Sequence, residues 1–180
     1  NDANALAFGE FHRGAGRGVS SLVALVLENG LGAGIITNGE LHRGARAEAG
    51  EIGYLLMDRF SLARSFSDVG DLEDRIGSIA LTRRAVESGI PVPERGVTAE
   101  DIFTLAKSGN VAAARIADEI LDMVAIAVAA MVVILDPELV IVGGSCVGSA
   151  DTVIPGIQER QSGRTTRAPP ILPPTHPKHP

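Results

Sequence analysis

Gly30-Leu31-Gly32-Ala33-Gly34-Ile35-Ile36-Thr37-Asn38-Gly39 is the stretch whose reading decides the fold. Residues 32–37 are small, apolar and β-branched, which suits a strand, and Asn38-Gly39 is a dipeptide favoured in two-residue hairpin turns. Upstream, residues 19–27 are an apolar run of strand length and read as a buried strand. Downstream, residues 40–43 return as a third strand. The three read as an antiparallel meander with the glycine run inside its first hairpin.

A second stretch follows closely: Ala49-Gly50-Glu51-Ile52-Gly53-Tyr54 sets an acid between two glycines and places an aromatic hydroxyl three positions on. Small residues let the backbone bring a carboxylate close to a ligand, and a carboxylate accepts hydrogen bonds from a polyol. Taken alone, the six residues are equally compatible with turns and a solvated Glu51.

Elsewhere the pattern is mostly helical. Asp2 is placed to cap a helix over 3–11, closed by the glycine-rich turn at 13–18. Residues 58–70 are polar and aperiodic, a loop. Leu72, Ile76, Ile79, Ala80, Ala85 and Val86 fall at helical spacing over 72–88, stopped by Gly89 and Pro91. Thr98 with Asp101 resembles a capping box for a short helix ending at Ser108-Gly109. Asn110 caps a long helix over 111–135, Pro137 lies past its end, residues 139–142 form a short strand running into Gly143-Gly144, and 152–160 form a last helix. Strands, then helices, then strand and helix make an α/β layer arrangement.

Bulk composition narrows the function classes. The 180 residues suffice for one domain with a core, which is aliphatic: 45% hydrophobic but only 3% aromatic. A formal net charge of −6 argues against a nucleic-acid-binding surface. The single cysteine, Cys146, builds neither a disulfide framework nor a thiolate zinc site, and His12, His42, His176 and His179 are scattered. The longest unbroken apolar run, 123–135, is 13 residues, against about 20 for a bilayer span. The default expectation is a cytoplasmic protein with no membrane partner. Residues 161–180 hold six of the ten prolines, three bases and no acid; they read as a disordered tail behind a folded unit over 1–160, the alternative being a proline-rich arm docked on it. The absence of an initiator Met and the irregular tail suggest a fragment.

Five motifs in order carry a resemblance: Asn1-Asp2-Ala3-Asn4, the glycine run over 30–39, Gly50-Glu51-Ile52-Gly53, Gly70-Asp71-Leu72-Glu73, and the stretch over 135–144 ending in Gly143-Gly144. Together they resemble the ROK family, which groups sugar-responsive transcriptional repressors with bacterial sugar kinases. The resemblance implies an α/β fold, the second lobe of an actin/hexokinase/Hsp70-like (ribonuclease H-like) architecture. There the three-strand meander is extended by further strands and flanked by helices, with the first lobe upstream of Asn1. It also implies roles. Asp2 would be the general base of a kinase, Asn1, Glu51 and Glu73 would bind sugar hydroxyls, and Gly30, Gly32, Gly34, Gly143 and Gly144 would line the phosphate and nucleotide side. A homo-oligomer is implied as well.

Three departures matter. The family's usual histidine, which touches sugar and binds zinc, is Tyr54 here, and the zinc cysteines are missing, with Asp71 where the last would sit; no structural zinc is expected. Tyr54 either offers its hydroxyl to a sugar or packs in the core. At the first hairpin the kinase threonine is absent, and Leu27-Glu28-Asn29-Gly30 puts a negative charge where phosphate should be welcome. The residues therefore favour a sugar-sensing effector domain of a transcriptional regulator, which needs no cofactor and meets DNA only through an upstream domain. The alternative is an ATP-dependent sugar kinase using ATP and Mg²⁺.

Overall fold

Strand β1 (Leu22–Leu27) is buried at every position, and so shows none of the polar alternation of a half-exposed strand. A computed structural model, which describes residues 2–165 and 167–175, gives the reason: the sheet is covered on both faces. Its five strands run in the order β3-β2-β1-β4-β5, with β2 Leu31–Thr37, β3 Glu40–Leu41, β4 Leu139–Gly144 and β5 Ile171–Leu172. β1, β2 and β3 pair antiparallel as the meander, whereas β4 lies parallel to β1, and β5 parallel to β4.

Alternate residues of β1 serve two cores. Val23, Leu25 and Leu27 join Leu31, Ala33, Val140 and Val142 in packing against α5 (Val111–Leu135) and its neighbours. Leu22 and Ala24, with Ile36, Leu139 and Ile141, pack instead on Leu6, Ala7 and Phe11 of α1 (Asp2–Arg13). Helix α5 buries Ala113, Ile116, Ala117, Ile120, Val124, Ala127, Val128 and Met131, the three-and-four spacing of one helical face. Asn110 caps it by accepting from the Ala113 N–H at 2.9 Å. It ends where Asp136 takes a left-handed φ of 44° before Pro137.

Several expected boundaries move. The first strand starts at Leu22, not residue 19, because the Ser20 and Ser21 amides are bound by the Glu138 carboxylate. The third strand stops at Leu41. The helix expected over 72–88 is two, α2 (Glu73–Ile76) and α3 (Ser78–Glu87), separated by Gly77 in extended conformation (ψ 163°). The loop over 58–70 contains a 3-10 turn, Arg59–Ala63, capped by Asp58. The last helix, α6, is Ala150–Gln161.

The reading of residues 161–180 as disordered does not hold for those described. Ile171 and Leu172 add β5 to the sheet, and Ile171 is 2% exposed. Beyond it, the Thr175 N–H and hydroxyl donate to the buried Glu10 carboxylate at 2.8 and 3.0 Å. Apolar Ile171-Leu172 beside proline is enough to complete a sheet edge, which composition averaged over the tail conceals.

The capping box of α4 (Ala99–Lys107) forms as read: Thr98 Oγ1 accepts from the Asp101 N–H at 3.3 Å, and Asp101 accepts from the Thr98 N–H at 2.9 Å. Arg95 adds two bonds to the same carboxylate, at 2.7 and 2.8 Å, and its guanidinium holds the Asp101 carboxyl down to about 2. The ordinary value is 3.8, so this stabilisation is fully present above about pH 4 and is lost as the pH falls through about 2. Asp101→Asn is expected to cost about 1–2 kcal/mol at pH 7, allowing for solvent screening at the exposed Arg95. Urea unfolding at pH 7, 4 and 2 should show the gap to wild type closing at the lowest pH.

Candidate functional site

The carboxyl ends of β1 and β4 and the start of β2 meet at one end of the sheet, where Leu27 pairs with both Leu31 and Gly144. Ligands of open α/β sheets bind outside the carboxyl ends of strands. The turn over 28–30 is docked, not free. Asn29 O accepts from the Ser78 N–H and hydroxyl at 3.4 and 3.3 Å, and Leu27 O accepts from the Ser145 N–H and hydroxyl at 2.7 and 2.9 Å. Glu28, on this turn, is exposed.

Three acids singled out in the sequence are anchored to the first half of β2. Glu73 opens α2, and its Oε2 accepts from the Leu31 N–H at 3.5 Å. Its carboxylate fills the space beside Gly30 and Gly53: an added Cβ would lie 3.1 Å from Glu73 Oε1 and 2.8 Å from Oε2, respectively. Glu51 follows Gly50, whose carbonyl accepts from the Ala33 N–H at 2.7 Å. Gly50 takes a φ of +90°, and a Cβ there would sit 1.8 Å from Ala33 O, so only glycine lets this segment run along β2 where β3 has ended. Asp2 begins α1, which lies on Gly34 so closely that a Cβ would be 2.1 Å from Ala3 O. Asp2 starts the helix instead of capping it, and its charge there suits the helix dipole. Leu31, Ala33 and Gly34 thus each tether the segment carrying one acid. Asn1 lies outside the described residues, as do His176 and His179.

Other assignments divide. Gly34 and Gly143 face α1: a Cβ on Gly143 would be 2.8 Å from Leu6 Cδ2, so helix packing accounts for both. Gly144 has a φ of +92° and backs onto Leu27 O, and Gly32 is half-buried opposite Val26. Tyr54 is not a core aromatic. It is 44% exposed, with its hydroxyl 3.5 Å from Ser67 O. Beside Glu51 and Tyr54 opens an apolar groove of about 380 Å³ walled by Ile35, Ile52, Met131 and Ile134. Cys146 is buried, and burial, helped by the Glu100 charge, pushes its thiol up to about 12, which leaves it inert as a nucleophile.

The sequence reading missed what Asp71 does. Its carboxylate, fully buried, accepts from the Met57 N–H at 2.8 Å and the Ser61 hydroxyl at 2.7 Å on one oxygen. On the other it accepts from Arg75 at 3.1 Å and Arg64 at 3.5 Å. Burial alone would raise its pKa, but these donors outweigh it and hold the carboxyl below its ordinary value. The signal available was the helical Asp71/Arg75 spacing. Among the described residues no cluster of three or more His, Cys, Asp or Glu could hold a metal ion.

The sheet order, the meander and the helical layers define a lobe of the actin/hexokinase-like fold. The chain belongs to the ROK family, whose profile matches residues 1–176. A glucokinase from Thermotoga maritima is 31% identical over 172 residues, covering 89% of this chain and 54% of the relative. A ROK family glucokinase from Streptomyces griseus, solved with glucose and AMPPNP, superposes with a TM-score of 0.80 at 26% identity, over 97% of this chain and 62% of that one. A ROK family transcriptional regulator, a homologue of the E. coli MLC protein, also reaches 0.80 at 22% identity, over 98% of this chain and 47% of that one, a likeness of fold alone. The chain spans about half the length of the curated glucokinases it matches. No helix among the described residues is long and apolar enough to cross a membrane.

Proposed function

We propose that this chain is the sugar-binding lobe of an ATP-dependent sugar kinase that phosphorylates a hexose or amino-sugar hydroxyl. The observation that carries the proposal is that the segments bearing Asp2, Glu51 and Glu73 are each anchored on residues 31–34 of β2, Glu73 through its own carboxylate and the other two through neighbouring backbone. Carboxylates accept hydroxyl hydrogen bonds, while the neighbouring apolar groove suits the C–H face of a sugar ring. Asp2 is the base that takes the proton of the attacking hydroxyl, and Glu51 and Glu73 orient the ring. ATP would approach the turn at 28–30 and the Gly144-Ser145 segment, bringing Mg²⁺ on its phosphates to neutralise developing charge.

The relatives named as glucokinases support this reading over the regulator that the residues alone favoured. One observation keeps the regulator as a second reading: Glu28 is exposed on the turn at 28–30, a negative charge where an approaching phosphate would be repelled. In that case sugar binding would shift the balance between two lobe arrangements, with DNA held by an upstream domain. Calorimetry of the full-length protein against a panel of hexoses, amino sugars and disaccharides tests what both readings share. One sugar should bind, and Glu51→Gln should weaken it about tenfold or more. Absence of binding to any sugar, or affinity unchanged by Glu51→Gln, contradicts both.

A further inference from the structure

We infer that Asp71 is a positioning residue, which fixes Glu73 and Tyr54 by tying the loop between them back on its own ends. The loop leaves the Gly53-Tyr54 pair and returns at Gly70, and the two ends touch. A Cβ on Gly70 would lie 2.2 Å from Gly53 O and 2.5 Å from Tyr54 Cα. Asp71 follows at once, and Glu73 comes two residues later.

Every partner of the Asp71 carboxylate is a donor, and together they span the loop from Met57 to Arg75. Arg75 extends the tie to Asp58 at 2.7 Å and to the Ser61 hydroxyl at 3.1 Å. Asp58 in turn caps the 3-10 turn through the Phe60 and Ser61 amides at 2.7 and 3.1 Å. With Arg64–Asp74 and Arg83–Asp74 pairs at 2.6 and 3.6 Å, three acids meet three arginines. The cluster is charge-balanced within itself and calls for neither a metal nor an anion.

An asparagine at 71 is nearly isosteric but offers one acceptor oxygen where two are used. Its NH₂ must face donors on one side, either Met57 N–H with the Ser61 hydroxyl or the two guanidinium groups. The tie therefore opens on one side without a change of volume. The consequence for sugar affinity rests on the function proposed above; the consequence for loop order does not.

The test compares Asp71→Asn with Asp101→Asn, which breaks an Asp–Arg pair remote from this loop, in the full-length protein. Hydrogen exchange without sugar should speed up at the amides of 54–57 and 74 in Asp71→Asn by about tenfold, and stay as in wild type there in Asp101→Asn. Calorimetry should show sugar Kd raised about tenfold in Asp71→Asn only, with ATP affinity unchanged. Unchanged exchange at 54–57 overturns the inference, as does faster exchange with unchanged sugar affinity. If wild type binds no sugar, the functional reading fails, while the exchange arm still decides the role of Asp71. Should Asp71→Asn not fold, Ser61→Ala removes one bond to the same oxygen and must give the same pattern at reduced size.

Discussion

Gly50→Ala is expected to destabilise the lobe by about 3 kcal/mol or more and to abolish sugar binding. Two costs coincide at this residue. Its φ of +90° is a conformation that an L side chain rarely takes, and the new methyl would stand 1.8 Å from a backbone oxygen, Ala33 O, that cannot rotate away. Relief requires residues 50–51 to move off β2, breaking the bond from the Ala33 N–H to Gly50 O. Glu51 would move with them. Chemical denaturation of Gly50→Ala beside Gly18→Ala checks this, because Gly18 also has positive φ but nothing within 4 Å of its Cβ position. The excess of the first loss over the second isolates the clash.

The second large effect is on chemistry. Asp2→Asn in the full-length protein should lower kcat for sugar phosphorylation about 10²–10⁴-fold, with sugar KM changed only a few-fold. Asparagine keeps an acceptor for the sugar hydroxyl but cannot take its proton. Asp2 is exposed at the start of α1, so folding should be spared. A rise in KM with kcat unchanged would make Asp2 a sugar ligand and not the base.

Local chemistry made much of the fold legible. The Asn38-Gly39 turn, the Thr98/Asp101 box and the Asn110 cap were readable because each is a backbone requirement met by a neighbour within three residues. What depends on distant contacts was not. Gly77 splits a helix whose apolar spacing continues across it. Ile171-Leu172 completes a sheet whose other strands end more than 25 residues earlier. Within the site, Glu51 stood out as an acid between glycines and Glu73 only through the family resemblance, but nothing in sequence said that the Glu73 carboxylate fills the space left by both Gly30 and Gly53. Asp71 read as a missing zinc ligand, since its partners Met57, Ser61 and Arg64 are spread over a loop with no period.

The glycine run is also reapportioned. It read as a phosphate cradle, yet the lack of a side chain at Gly34 is what lets α1 lie against the sheet. Only the turn at its head stays clear of that packing, and Glu28 is exposed on it.

Sugar-dependent ADP release from ATP by the full-length protein tests the kinase assignment most directly. ADP release should saturate with the sugar identified by calorimetry and disappear in Asp2→Asn. A sugar that binds tightly, is weakened by Glu51→Gln, and yet elicits no ADP release would contradict the kinase assignment and leave the regulator in its place.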